Sequence, residues 1–154
     1  MQKILSLLMM ICFGTVAAVA QQSAAPKQPA CSDAKVHGKL VSIDKEWESK
    51  QYKLVYFSSE NVPSKAMVPF KFEVKQGETY QINYVVGAHA SKYQVTVVDE
   101  QIKEVVKEKG KTTGNDQMTV VSKQFTAHSN GVYMLVFSQQ TKSGNCVGIS
   151  LLKK

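Results

Sequence analysis

Residues 70–74 read Phe70-Lys71-Phe72-Glu73-Val74, residues 76–78 read Gln76-Gly77-Glu78, and residues 80–84 read Tyr80-Gln81-Ile82-Asn83-Tyr84. The first segment alternates apolar and polar, so Phe70, Phe72 and Val74 share one face of an extended chain. Gly77 supplies a turn. The third segment alternates again, with Tyr80, Ile82 and Tyr84 in phase. Two strands, each with one apolar face, joined by a short connection, are what this pattern predicts.

The same texture continues in both directions. Tyr52 to Phe57 is rich in aromatic and β-branched residues, and Pro63 and Pro69 bracket a loop or strand edge. Downstream, Tyr93 to Val97 is followed by a turn at Asp99-Glu100-Gln101 and a segment from Ile102 to Lys107. Ile102, Val105 and Val106 also fit one helical face, but the Val-rich strand and polar turn before them favour a hairpin. Lys109 to Asp116 reads as a polar loop with two glycines. Met118–Thr126, Val132–Phe137 and Val147–Leu152 are further strands, separated by turns at Ser129-Asn130-Gly131 and Thr141–Asn145. Strands at this spacing, with no long helical patterns between them, predict an all-β antiparallel sandwich or barrel.

Ahead of the strands, Val36, Leu40, Ile43 and Trp47 recur at helical spacing, with Ser32 or Asp33 placed to cap the start. A short N-terminal helix over residues 33–44 is expected, weakened by Gly38.

The first 20 residues have the form of a signal peptide. Lys3 precedes an uncharged, mostly apolar run from Ile4 to Ala20 that ends in Ala18-Val19-Ala20, so cleavage before Gln21 is expected. An uncleaved anchor is disfavoured, because the run falls short of about 20 apolar residues and has no basic flank. Residues 21–31 form a polar leader with two prolines, and residues 32–154 a single domain. A secreted or periplasmic protein follows, with no membrane span after cleavage.

The 154 residues carry 19 basic and 12 acidic side chains, a formal charge of +7, and every basic residue is Lys. Without the bidentate guanidinium of Arg, nucleic acid is not an expected partner. The lysine excess reads first as a solvated surface, ahead of a polyanion site. Cys12 leaves with the signal, and Cys31 and Cys146 remain. In an oxidising compartment a disulfide is the simplest use of the pair, and nothing near them supplies further zinc ligands.

Catalytic signals are absent at the level of sequence spacing. His37, His89 and His128 stand in no metal-ligand or nucleophile arrangement. Gly87-Ala88-His89-Ala90-Ser91 lacks the form of a nucleophile elbow. Asp99-Glu100 reads as a solvated turn pair without calcium-loop spacing. Glu46 and Glu48 around Trp47 would suit a sugar-binding surface, but Trp47 continues the apolar helix face and reads as core. Gly110-Lys111-Thr112-Thr113-Gly114 fails the order a phosphate loop needs. The six tyrosines fall mostly in phase with strand core positions, which leaves open whether some form an exposed ligand patch. No catalytic residue, cofactor or metal is predicted.

Gln76-Gly77-Glu78-Thr79-Tyr80, Tyr93 to Val97, Phe125-Thr126-Ala127 and Asn130-Gly131-Val132-Tyr133-Met134-Leu135 together resemble the bacterial pre-peptidase C-terminal domain. The strand rhythm is also similar to that of small secreted β-sandwich proteins of Bacteroidetes whose function is unassigned. The resemblance covers about Pro69 to Leu152 and implies an antiparallel jelly-roll sandwich. The chain departs from the pre-peptidase pattern in lacking a glycine in the Asp99 turn and an attached catalytic domain. The expected function is an exported non-enzymatic binding or accessory module, whose partner is an envelope protein or an extracellular glycan. The alternative is a structural or assembly component of the cell envelope acting through protein contacts.

Overall fold

The computed structural model describes residues 31, 33–87, 90–112, 118–142 and 145–154. The expected signal peptide, most of the leader, His89 and most of the glycine loop after Lys111 lie outside the described residues.

One helix, α1 (Ala34–Glu48), precedes eight strands: β1 (Lys53–Val62), β2 (Met67–Val74), β3 (Thr79–Val86), β4 (Ala90–Val98), β5 (Glu104–Lys111), β6 (Thr119–Thr126), β7 (Gly131–Thr141) and β8 (Asn145–Lys153). They form two four-stranded antiparallel sheets, ordered β1-β8-β3-β6 and β2-β7-β4-β5. In each sheet a late strand pairs between two early ones, the two-Greek-key arrangement of an eight-stranded jelly roll. The alternation read from Phe70–Val74 and Tyr80–Tyr84 now has its cause: Phe72, Val74, Tyr80, Ile82 and Tyr84 meet Val95, Val97, Leu135, Phe137, Ile149 and Leu151 between the sheets. Tyr80 stacks on its ladder partner Phe125 at 5.2 Å, and Phe72 packs across from the opposite sheet at 5.7 Å from Tyr80.

α1 begins where Asp33 accepts hydrogen bonds from the amides of Lys35 (2.9 Å) and Val36 (3.4 Å). It runs past the predicted residue 44 to Glu48, because Lys45-Glu46-Trp47-Glu48 are adequate helix formers and Trp47 extends the apolar stripe. Val36, Leu40 and Ile43 bury that stripe on the outer face of the first sheet, over Val85 and Cys146. The Cys31–Cys146 disulfide forms, with the Cα atoms 5.4 Å apart and a sequence separation of 115, and ties the helix start to β8. Because a helix covers β3, that strand is buried on both faces, and Gln81 and Asn83 are buried with it.

Both ends of β5 differ from the sequence reading. Ile102 belongs to the turn before β5: its backbone sits at φ 62° and its N–H donates to the Asp99 carbonyl. Lys109, Gly110 and Lys111 belong to β5, paired with Gln94, Tyr93 and Lys92. Gly110 is there for Tyr93, since a Cβ at that position would stand 2.6 Å from the phenol oxygen.

Candidate functional site

The sandwich has two outer faces, and α1 occupies one of them. On the other, β5, β4 and β7 carry outward side chains in ladder rows: Lys111, Lys92 and Gln140, then Lys109, Gln94 and Ser138. Lys65, held at φ 67° in the β1–β2 connection with its N–H on the Gln139 carbonyl at 2.7 Å, closes one end. These residues line an open groove of about 550 Å³, within the range of ligand sites. Tyr93 and Gly110 form part of its floor, the half-buried Tyr93 side chain turning to the inner face with Val95 and Val97, its phenol over Gly110. Gln94 is steadied from beneath, its amide donating to the buried Thr96 hydroxyl at 3.1 Å.

The electrostatics of this groove are one-sided. No carboxylate lines it among the described residues, and none of Lys65, Lys92, Lys109 and Lys111 makes an ion pair there. Lys92 and Lys111 are direct ladder partners, a like-charge pairing that an antiparallel sheet normally avoids. The groove therefore offers ammonium groups, two primary amides and a serine hydroxyl.

A second cluster lies at the end of the sandwich where the β4–β5 and β6–β7 turns meet. Asp99 Oδ2 lies 3.1 Å from His128 Nε2, His128 Nδ1 lies 3.1 Å from the Tyr133 hydroxyl, and that hydroxyl lies 3.3 Å from Ser129 Oγ. Asp99 is 5% exposed, so the expectation of a solvated turn carboxylate is corrected. Its Oδ1 accepts the amides of Gln101 (3.0 Å) and Lys103 (2.9 Å), and so shapes the turn. Burial pushes the carboxyl up, but the Lys103 and Gln101 amides and His128 outweigh it, so it stays below the usual carboxylate range. The carboxylate–imidazole–hydroxyl order invites a catalytic reading. The hydroxyl on the imidazole belongs to Tyr133, which is fully buried, and Ser129 is reached only through it. The neighbouring contacts are those of turn construction: Glu100 accepts the Val132 amide at 2.8 Å, and Asn130 accepts the Gln76 amide at 2.8 Å.

A third polar group lies beneath α1. Asp44 Oδ1 accepts from Ser150 Oγ (2.6 Å) and Asn83 Nδ2 (2.9 Å), while Oδ2 is buried without a partner. Burial raises this carboxyl above its ordinary value, and the two hydrogen bonds offset that only in part.

The other residues singled out in the sequence are scattered. His37 is exposed on α1, its ring edge-on to Phe57 at 5.2 Å. Trp47, expected in the core, is half-buried: its ring meets Tyr52 at 5.2 Å and the Lys50 ammonium caps it at 4.4 Å. Those contacts occupy the indole that a sugar platform between Glu46 and Glu48 would need. Tyr80, Tyr84 and Tyr133 are core, Tyr56 stacks on Phe70 at 3.8 Å, and Tyr93 packs half-buried against the core. Among the described residues no group of three His, Cys, Asp or Glu side chains could hold a metal ion, and no helix is long and apolar enough to cross a membrane.

No protein-family model and no curated protein matches the sequence. Among solved structures, a CBM4 structure is similar with a TM-score of 0.47 at 7% identity, covering 68% of this chain and 79% of that one. A carbohydrate-binding module from Cellvibrio mixtus lichenase 5A, in complex with cellotriose, gives 0.41 at 12% identity, over 66% of this chain and 90% of that one. The K3 cleaved adhesin domain of Lys-gingipain from Porphyromonas gingivalis gives 0.41 at 9% identity, over 64% and 72%.

Proposed function

We propose that this chain is an exported, non-enzymatic binding module whose ligand, a saccharide chain, lies in the groove across β5, β4 and β7. The observation that carries this reading is the groove itself: one outer face is sealed by a disulfide-tied helix, and the other is left concave and lined with hydrogen-bonding groups. Amide and hydroxyl side chains are suited to sugar hydroxyls. Export is supported by the disulfide and by the leader-like sequence ahead of it.

The test is titration of soluble polysaccharides while amide resonances are followed by NMR. Shifts should gather on β4, β5 and β7, and Gln94→Ala should weaken binding at least about tenfold, as loss of a ligand-facing hydrogen bond does. Shifts confined to α1 or to the Asp99 turn would refute the assignment.

The assembly reading rests on Leu54 and Val55, 44% and 47% exposed on the edge strand β1. It stands second, because the irregularity between Leu54 and Tyr56 breaks the ladder register where a partner strand would pair.

A further inference from the structure

We infer that the ligand of this groove is an anionic polysaccharide, bearing carboxylate or sulfate groups that the lysines neutralise; this rests on the binding reading above. The chain does not lack acids with which to pair its strand lysines. Lys123 meets Glu108 at 2.9 Å, Lys153 meets Glu78 at 2.6 Å, and Lys107 pairs with Glu104. None of those pairs stands in the groove. Inside it, Lys65, Lys92, Lys109 and Lys111 face one another with no carboxylate among the described residues. Lys109 and Lys111 share one face of β5, about 7 Å apart by strand rise, and Lys92 stands across the ladder from Lys111, about 5 Å away. This is a two-dimensional array of positive charge. The concave wall focuses its field, and the array suits charges repeated along a polymer better than a single anion.

The side-chain chemistry selects among polyanions. Ammonium groups act as hydrated point charges, without the planar fork that grips phosphate or peptide carboxylate in two places, and the chain contains no Arg to provide one. Gln94, Gln140 and Ser138 give a sugar backbone its own contacts between the charges. Read from sequence, the lysine excess was best explained as a solvated surface. The pairing of β5, β4 and β7 is what gathers four of these residues on one side.

Two matched probe pairs test this: dextran sulfate against dextran, and polygalacturonate against its methyl ester. Each is titrated into the full chain with its disulfide intact. The charged member of each pair should bind at least tenfold more tightly. Raising salt from about 50 to about 200 mM should cost roughly 20- to 50-fold in affinity if three or four polymer charges are neutralised, each releasing about 0.7 counterion. The double variant Lys92→Gln/Lys111→Gln should lose at least tenfold and melt no lower than the parent, since it removes a like-charge pair. Lys35→Gln/Lys39→Gln, on the exposed side of α1, should change nothing. Equal binding of charged and neutral members would overturn the anionic assignment and leave the binding module standing. Failure of every charged probe, alongside binding of a neutral polysaccharide in the titrations above, would overturn it as well. Poly-glutamate or single-stranded DNA binding as tightly, with the same sensitivity to the double variant, would overturn the polysaccharide assignment.

Discussion

Leu40 lies directly over Gly148: a Cβ built on that glycine would stand 3.1 Å from the leucine Cδ2 and 3.1 Å from Cγ1 of Val36. The helix sits as low on β8 as it does because one strand residue has no side chain. Gly148→Val should therefore overpack this seam and cost about 1–3 kcal/mol. Urea unfolding would show a lower midpoint with an unchanged slope, and a midpoint equal to the parent's would mean that the helix rides freely.

The disulfide closes a loop of 115 residues, so loop entropy gives its removal a cost of up to about 4–5 kcal/mol. Cys31→Ser/Cys146→Ser should unfold at markedly lower denaturant. The native protein should weigh two hydrogens less than the dithiol, which intact mass reads directly. Two alkylatable thiols would contradict the bridge.

Asp44 and Asp99 should titrate with opposite effects on stability. Burial raises the Asp44 carboxyl in the folded state, so its ionised form is penalised at neutral pH. That penalty shrinks as pH falls through the folded value and disappears below the unfolded one. Asp44→Asn keeps an oxygen for Ser150 and Asn83, and should be more stable than the parent at neutral pH. The advantage should close on acidification; an advantage independent of pH would exclude the charge as its cause.

Asp99 is held below the usual carboxylate range, so its stabilisation is present in full above that range. It is lost as pH falls through the lowered value. Asp99→Asn should be less stable than the parent at neutral pH, and the two should converge in acid. A pH series of thermal melts on both variants gives two gaps that close from opposite sides.

Ile102 occupies the left-handed region at φ 62°, a poor conformation for a β-branched residue, and is 76% exposed. Ile102→Asn should raise stability by about 0.5–1 kcal/mol, because backbone strain is relieved and no packing is given up. A lower melting temperature would show that the isoleucine makes a contact of its own.

Why some of this was legible in the sequence, and some not, follows from where each signal is stored. Phe70–Val74 and Tyr80–Tyr84 alternate because the pleat alternates, so their strands could be read locally. Ile102 misled, because a β-branched residue normally announces a strand and here sits in a turn organised by the Asp99 carboxylate. The Asp99–His128 contact joins residues of two turns, and no spacing pattern encodes it. The groove is further from view still. Lys65 reaches it from the β1–β2 connection and Lys111 from the end of β5, and only the strand order brings them to one side. Composition counts lysines without saying where they meet.

The strand order also sets when this protein can exist. β8 lies between β1 and β3, and β7 between β2 and β4, so both sheets remain split until the last two strands are present. A nascent chain lacking them leaves β1 and β2 without neighbours, while β3–β6 and β4–β5 can pair only as separate ribbons, so neither sheet is complete. A chain threaded across a membrane N-terminus first would stay pliable until nearly all of it had passed. Cys146 arrives with β8, so the bridge to Cys31 can form only then. It acts as a latch on a finished structure rather than a guide during assembly.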